Sequence, residues 1–187
     1  MNDDEKHRRF ELLVLPHLDA ALNLARWLTH NDQDAQDVVQ DACVRAIRFI
    51  DGFRGENARA WLLQIVRNTC FSWLKENRPA EILLCDDADD ILNWIAAPAT
   101  DEPAAVAMQN ADRLQINCAI AALSAIYREV LVLRELNDLS YKDIARIVDI
   151  PVGTVMSRLA RARSLLQQAL SAGRQQNAEH VAAIAPK

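Results

Sequence analysis

The sequence predicts an all-α protein: two small helical domains joined by a flexible acidic linker, the C-terminal one a helix-turn-helix. Three observations carry that expectation. Among 187 residues only four are glycine and two tyrosine, so material for turns and sheets is scarce, whereas good helix formers abound. Apolar residues recur at steps of three and four in both halves. Charge is segregated along the chain. Residues 1–78 hold eleven Lys/Arg against twelve Asp/Glu, residues 79–112 hold eight acids and no base, and residues 113–187 hold ten bases against six acids.

The elements follow in order. Phe10 to Leu28 is helical in pattern but contains Pro16, which predicts two helices meeting there. Residues 32–50 give one apolar stripe, Ala35, Val38, Val39, Ala42, Cys43, Ala46, Ile47 and Ile50, with Asn31 or Asp32 as N-cap and acids in the first turn. The opposite face carries Asp34, Asp37, Asp41, Arg45 and Arg48, which taken alone describes a solvated face. Residues 51–57 form a loop holding Gly52 and Gly55. A helix follows from Ala58 to about Glu76, with Leu62, Ile65, Val66, Thr69 and Trp73 inward. Its other face presents Gln64, Arg67, Phe71, Lys75 and Arg78. Charge for phosphates and a ring for stacking suit a single-stranded nucleic acid, and the same pattern also describes a plain amphipathic helix.

Residues 79–104 carry Pro79, Pro98, Pro103 and the run Asp86 to Asp90. They read as the linker, with a weakly helical middle around Ile91, Leu92, Trp94 and Ile95. Short helices succeed one another beyond it, at about 112–123, 126–136, 140–148 and 151–170, and 171–187 reads as a frayed helix end and disordered tail. Ser140 is a hydroxyl N-cap with Asp143 three residues on. Ile144, Ala145 and Val148 face inward, and Asp149-Ile150-Pro151 breaks the helix. Val152, Val155, Leu159 and Ala162 of the next helix face back, leaving Thr154, Ser157, Arg158, Arg161 and Arg163 outward. Two short helices, a tight turn and an arginine-bearing second helix describe a helix-turn-helix, in which arginines pair with guanine edges and hydroxyls with bases or phosphates.

Several classes are excluded or disfavoured. Cys43, Cys70, Cys85 and Cys118 lie far apart with no C-x-x-C. The four histidines show no ligand spacing, so neither a disulfide framework nor a metal site is expected. No nucleophile–base set or glycine-rich phosphate loop points to an enzyme, and no cofactor is expected. No apolar run reaches a membrane span and the start is too acidic for a signal peptide. A cytoplasmic protein with no membrane insertion of its own is therefore expected.

These residues resemble a family, the extracytoplasmic-function (ECF) sigma factors of bacterial RNA polymerase. Leu139-Ser140-Tyr141-Lys142-Asp143-Ile144-Ala145 through Pro151-Val152-Gly153-Thr154-Val155-Met156-Ser157-Arg158-Leu159-Ala160-Arg161-Ala162-Arg163 is similar to that family's fourth-region helix-turn-helix. Asp34-Ala35-Gln36-Asp37-Val38-Val39-Gln40-Asp41 resembles its polymerase-binding helix. Ala60-Trp61-Leu62 with Arg67-Asn68 resembles its promoter-melting helix.

The resemblance, over about residues 8–170, implies a region 2 domain at 1–78, the linker at 79–104, a region 4 domain at 105–170 and a tail. It implies that Asp37, Gln40, Asp41 and Arg45 meet the polymerase clamp helices, and that region 4 meets the flap. Asn57, Gln64, Arg67, Phe71 and Lys75 would engage the minus-ten element, and Thr154, Ser157, Arg158, Arg161 and Arg163 the minus-thirty-five element. Core polymerase, promoter DNA and an anti-sigma factor are the implied partners. The chain departs from the family at Asp149, where Gly is usual, at Met156 for a frequent Lys, at Ala125 for Pro, and in the diluted basic run Lys75-Glu76-Asn77-Arg78. A stand-alone helix-turn-helix regulator with an N-terminal helical sensing domain is the alternative. It would bind its duplex without polymerase and have no use for the Asp34–Arg48 face.

Overall fold

The computed structural model describes residues 3–55, 57–79 and 104–184, every element of which is helical. The expected linker, with its helical middle and Cys85, lies outside the described residues except at its two ends.

Helix α1 (Asp3–Leu13) passes through a single 3-10 turn (Leu15–His17) built on Pro16 into α2 (Leu18–Thr29), as the proline required. The chain then reverses tightly. His30 closes α2 in the left-handed region at φ 57°, and Asn31 caps α3 (Asp32–Phe49), its Oδ1 accepting from the backbone N–H of Gln33 at 2.7 Å and of Asp34 at 3.1 Å. After a 3-10 turn (Ile50–Gly52), α4 (Ala58–Asn77) starts from Asn57, whose Oδ1 accepts from Ala60 N–H at 2.9 Å. The rings of Phe53 and Trp61, 4.8 Å apart and tilted by 33°, hold the intervening loop on α4. Arg9 fastens it to α1 by donating to Phe53 O at 2.8 Å.

In the second half α5 (Ala104–Ala121) leads to α6 (Ala125–Leu131), which continues as a π-turn over Val132–Leu136. Helix α7 (Tyr141–Val148) is capped by Ser140, whose Oγ accepts from Asp143 N–H at 3.1 Å and donates to the Asp143 carboxylate at 2.7 Å. Asp is too short for the usual capping box, so its carboxylate accepts a hydrogen bond from the hydroxyl instead. Asp149 ends α7 at φ 58°, the left-handed geometry expected where the family has Gly. Pro151 immediately precedes α8 (Val152–Ile184), its carbonyl accepting from Thr154 and Val155.

Four expectations on element bounds and buried faces need correction. Helix α8 runs on to Ile184 instead of ending near 170. Helix α5 begins at Ala104, well before 112. Ile47, placed in the buried stripe of α3, is 37% exposed, while Ala35, Val38, Ala42, Ala46 and Ile50 are buried as expected. Val152, expected to face back from α8, is 39% exposed because it sits in the first turn ahead of the packed Val155, Leu159 and Ala162.

The two halves share a core. Leu24, Leu28, Leu62 and Val66 of the first belong to one buried cluster with Leu123, Leu133, Ile144, Val155 and Leu159 of the second. The reason is α4, which packs on α2 and α3 and also on α7. A helix covered from two directions buries more than one stripe, so Leu63, Cys70 and Leu74 join Leu62, Val66 and Thr69 inside.

Candidate nucleic-acid and polymerase surfaces

Helix α3 points its polar face to solvent. Asp37, Gln40, Asp41 and Arg45 are all exposed and recur at helical spacing. Within it Arg45 pairs with Asp41 at 2.8 Å, one turn apart, and Gln33 donates to Asp37 at 3.3 Å. Exposed apolar side chains adjoin these charges. Val44 is 44% exposed and Phe49 63%. Sequence reasoning missed both. Their signal was available, since both Val44 and Phe49 fall outside the periodic stripe.

The residues expected at the minus-ten element divide into two groups. Lys75 is exposed near the end of α4. Asn57, Gln64, Arg67 and Phe71 are half-buried, and three of them bond across the seam to the second half. Asn57 Nδ2 donates to Asp143 Oδ1 at 3.0 Å, and Gln64 Nε2 to Arg146 O at 3.2 Å. Arg67 grips Glu129 with both arms, Nε to Oε2 at 2.8 Å and Nη2 to Oε1 at 3.3 Å, while its guanidinium lies 4.1 Å above the Phe71 ring. Arg59, in the first turn of α4, donates to Asn137 O at 2.7 Å, and Arg128 of α6 donates to Trp27 O at 3.1 Å.

Glu129 is the residue that the sequence reading passed over. It is completely buried, and two arginines from different helices meet it: Arg67 from α4 and Arg158 from α8 at 3.5 Å. Burial pushes its carboxyl above the ordinary value, with the Arg67 hydrogen bond and the charges of Arg67 and Arg158 pulling back. Its signal was an acid set directly at the head of the apolar run Val130, Leu131, Val132 and Leu133, where a solvated carboxylate has little room.

On α8, Ser157 and Arg161 are exposed and Thr154 is half-buried. Arg158, expected outward, turns toward Glu129 with its side chain 25% exposed. Arg163 is exposed but clamped to Glu135 at 2.6 Å and 3.2 Å, a hydrogen bond that raises the arginine's pKa. Thus Thr154, Ser157 and Arg161 share the open face near the start of α8, Arg158 lies at its inner edge, and Arg163 is held against α6. Among the described residues no group of His, Cys, Asp and Glu could hold a metal, and no helix is long and apolar enough to cross a membrane. The Cys70 thiol is buried, and burial pushes its pKa up to about 12.

Residues 13–79 match the family of sigma-70 region 2, and residues 113–166 that of sigma-70 region 4. The RNA polymerase sigma-H factor of Pseudomonas aeruginosa is 35% identical over 167 residues, covering 87% of this chain and 86% of that protein. The ECF RNA polymerase sigma-E factor of Escherichia coli K12 is 33% identical over 164 residues, covering 85% of each. Among solved structures, the sigma factor RpoE of Bartonella quintana in complex with the anti-sigma factor NepR superposes with a TM-score of 0.63 at 31% identity, over 87% of this chain and 96% of that one. CnrH in complex with the cytosolic domain of CnrY gives 0.60 at 28% identity, over 89% and 90%. An exposed acidic helix and a helix-turn-helix in one all-helical chain, alike in order and length to these proteins, place it: the chain belongs to the ECF sigma factors of bacterial RNA polymerase, non-enzymatic initiation factors that bind the core enzyme and direct it to promoters.

Proposed function

We propose that this sigma factor works in the cytoplasm through three surfaces, with residues 1–78 as its region 2 domain, 79–104 as the linker, 105–170 as its region 4 domain and 171–187 as a tail. The α3 face, with Asp37, Gln40, Asp41 and Arg45, docks on the clamp helices of core polymerase, and the second domain meets the flap. The 51–57 loop and α4 engage the melted minus-ten strand. Asn57 sits at the loop's exit, Arg67 and Lys75 supply charge, Phe71 a stacking ring and Gln64 an amide. Helix α8 enters the major groove of the minus-thirty-five element, where Thr154, Ser157 and Arg161 reach base edges and Arg163 a phosphate. Arg158, ion-paired to buried Glu129, positions α8 against α6.

The two structures resembling this chain contain anti-sigma partners, which supports an anti-sigma factor as its regulator. Similarity that spans both halves argues against a stand-alone regulator. The observation that carries the reading is the α3 face, on which Asp37, Gln40, Asp41 and Arg45 all stay open to solvent. The double substitution Asp37→Lys with Asp41→Lys should abolish co-purification with core polymerase without loss of helicity. Undiminished co-purification would remove the assignment.

A further inference from the structure

We infer that an apolar edge of α8, made of Val152, Met156 and Ala160, reads the C5-methyl groups of thymines in the minus-thirty-five element, beside the bases that Arg161 reads. The inference rests on the reading of α8 as the minus-thirty-five helix and names the base chemistry that this helix selects.

Helix α8 buries Val155, Leu159, Ala162 and Leu165. Val152, Met156 and Ala160 recur every four residues, so they form one row along the helix. That row is open to solvent: Val152 is 39% exposed, Met156 54%, and Ala160 is exposed as well. The next row round holds Gly153, Ser157 and Arg161, all exposed too. Gly153 has no left-handed backbone angle, and a Cβ built on it would meet nothing within 4 Å. Neither its conformation nor packing within the chain calls for glycine, which is among the poorest helix formers. A bare backbone at the head of the two rows lets an outside partner approach α8 closely.

That partner is duplex DNA. Residues 152–170 hold three arginines and no acid, which suits a polyanion, and the apolar row is continuous with the edge assigned to base reading. In the major groove the thymine methyl is the apolar group on a base edge, whereas the other bases present acceptors and amino donors. Methionine pressed on those polar edges would strip their water and return no good hydrogen bond. Against a methyl group neither side loses one. Met156 and Ser157 are successive residues, about 1.5 Å apart along the axis, so the thymine lies at or beside the base pair met by the polar row. The lysine frequent in the family at this position would donate to a base or phosphate instead, so the departure at Met156 changes which promoters the chain selects.

Holodenzyme-free shortcuts are unnecessary, because the full chain with core polymerase can select its own minus-thirty-five sequence from a randomised duplex library. Each thymine of the selected sequence is then replaced by deoxyuridine, which removes the methyl group and nothing else. At one or two adjacent positions the wild type should lose about fourfold in affinity, the worth of one buried methyl group. Met156→Ala should bind thymine and deoxyuridine templates equally at those positions. Gly153→Ala should keep or raise thermal stability and yet weaken binding to every template.

A selected element without thymine, or deoxyuridine tolerated at every position by the wild type, would overturn the proposal. So would a Met156→Ala variant with the wild-type loss, or a Gly153→Ala variant that binds as tightly as wild type. Met156→Ala that no longer co-purifies with core polymerase would assign the row to a protein contact and overturn it as well. The deoxyuridine comparison uses the unaltered chain, so it decides the matter even where a variant misfolds. Arg161→Ala on the same library separates the two readings. An altered base preference without a methyl effect removes this proposal alone, whereas an unaltered preference without a methyl effect removes α8 as the reader.

Discussion

Replacing Arg158 and Arg161 one at a time separates a residue that holds α8 in place from one that reads DNA. Arg158 lies 3.5 Å from a carboxylate that is fully buried. Arg158→Ala removes one of that acid's two counter-ions and leaves Arg67 in place. Stranding a buried charge outright costs about 3–5 kcal/mol, so losing the weaker of two partners should cost about 2 kcal/mol. In a chain of this size each kcal/mol moves Tm by about 2–4 °C, which gives a fall of about 4–8 °C. Arg161 is exposed, and Arg161→Ala should change stability by less than about 0.5 kcal/mol.

On DNA the ranking reverses. Arg161→Ala should cost about 1–3 kcal/mol at one minus-thirty-five position, about 5- to 150-fold in discrimination, while Arg158→Ala should weaken all sequences alike. Thermal unfolding by circular dichroism reads the first quantity. Holoenzyme binding to promoters randomised over the minus-thirty-five element reads the second. A Tm for Arg158→Ala indistinguishable from wild type, or an unaltered base preference in Arg161→Ala, would refute the division of labour.

Two further outcomes follow from the same geometry. Burial raises the Glu129 carboxyl above its ordinary 4.5, so the fold favours the protonated acid; that contribution is complete below about pH 4.5 and lost as pH rises through the folded pKa. The stability of wild type relative to Glu129→Gln should therefore decline as pH rises across that window, measured by urea unfolding, and a difference that grows with pH contradicts the burial argument. Asp149 sits at φ 58°, where glycine pays no side-chain penalty, so Asp149→Gly should raise stability by up to about 1 kcal/mol in the same assay; a loss would mean that the Asp149 side chain makes the turn.

What was legible in the sequence is what is local. Pro16 broke the first helix, Asn31 capped α3, and Asp149 closed the helix-turn-helix at a left-handed angle, each through chemistry confined to a few neighbouring residues. The polar face of α3 was equally legible, because three- and four-residue spacing fixes which side chains share a side. The seam was not. Gln64 and Arg67 look the same in sequence whether they face water or another domain, and their partners Arg146 and Glu129 lie 82 and 62 residues away. Arg158 was misplaced for the same reason, since its helical phase fits the outer edge of α8 until Glu129 is known to be buried beneath it. Helix α8 outran its expected end because Ala, Gln, Arg and Glu beyond residue 170 are strong helix formers, whereas the expectation had followed the apolar stripe alone.

The most direct test of the account is transcription reconstituted from purified core polymerase and this chain on a library of bacterial promoter sequences. The account predicts initiation from a subset of templates sharing paired minus-ten and minus-thirty-five elements, lost with Asp37→Lys and Asp41→Lys together. Core enzyme that initiates no differently with the chain than without it, on every template, would contradict the central claim.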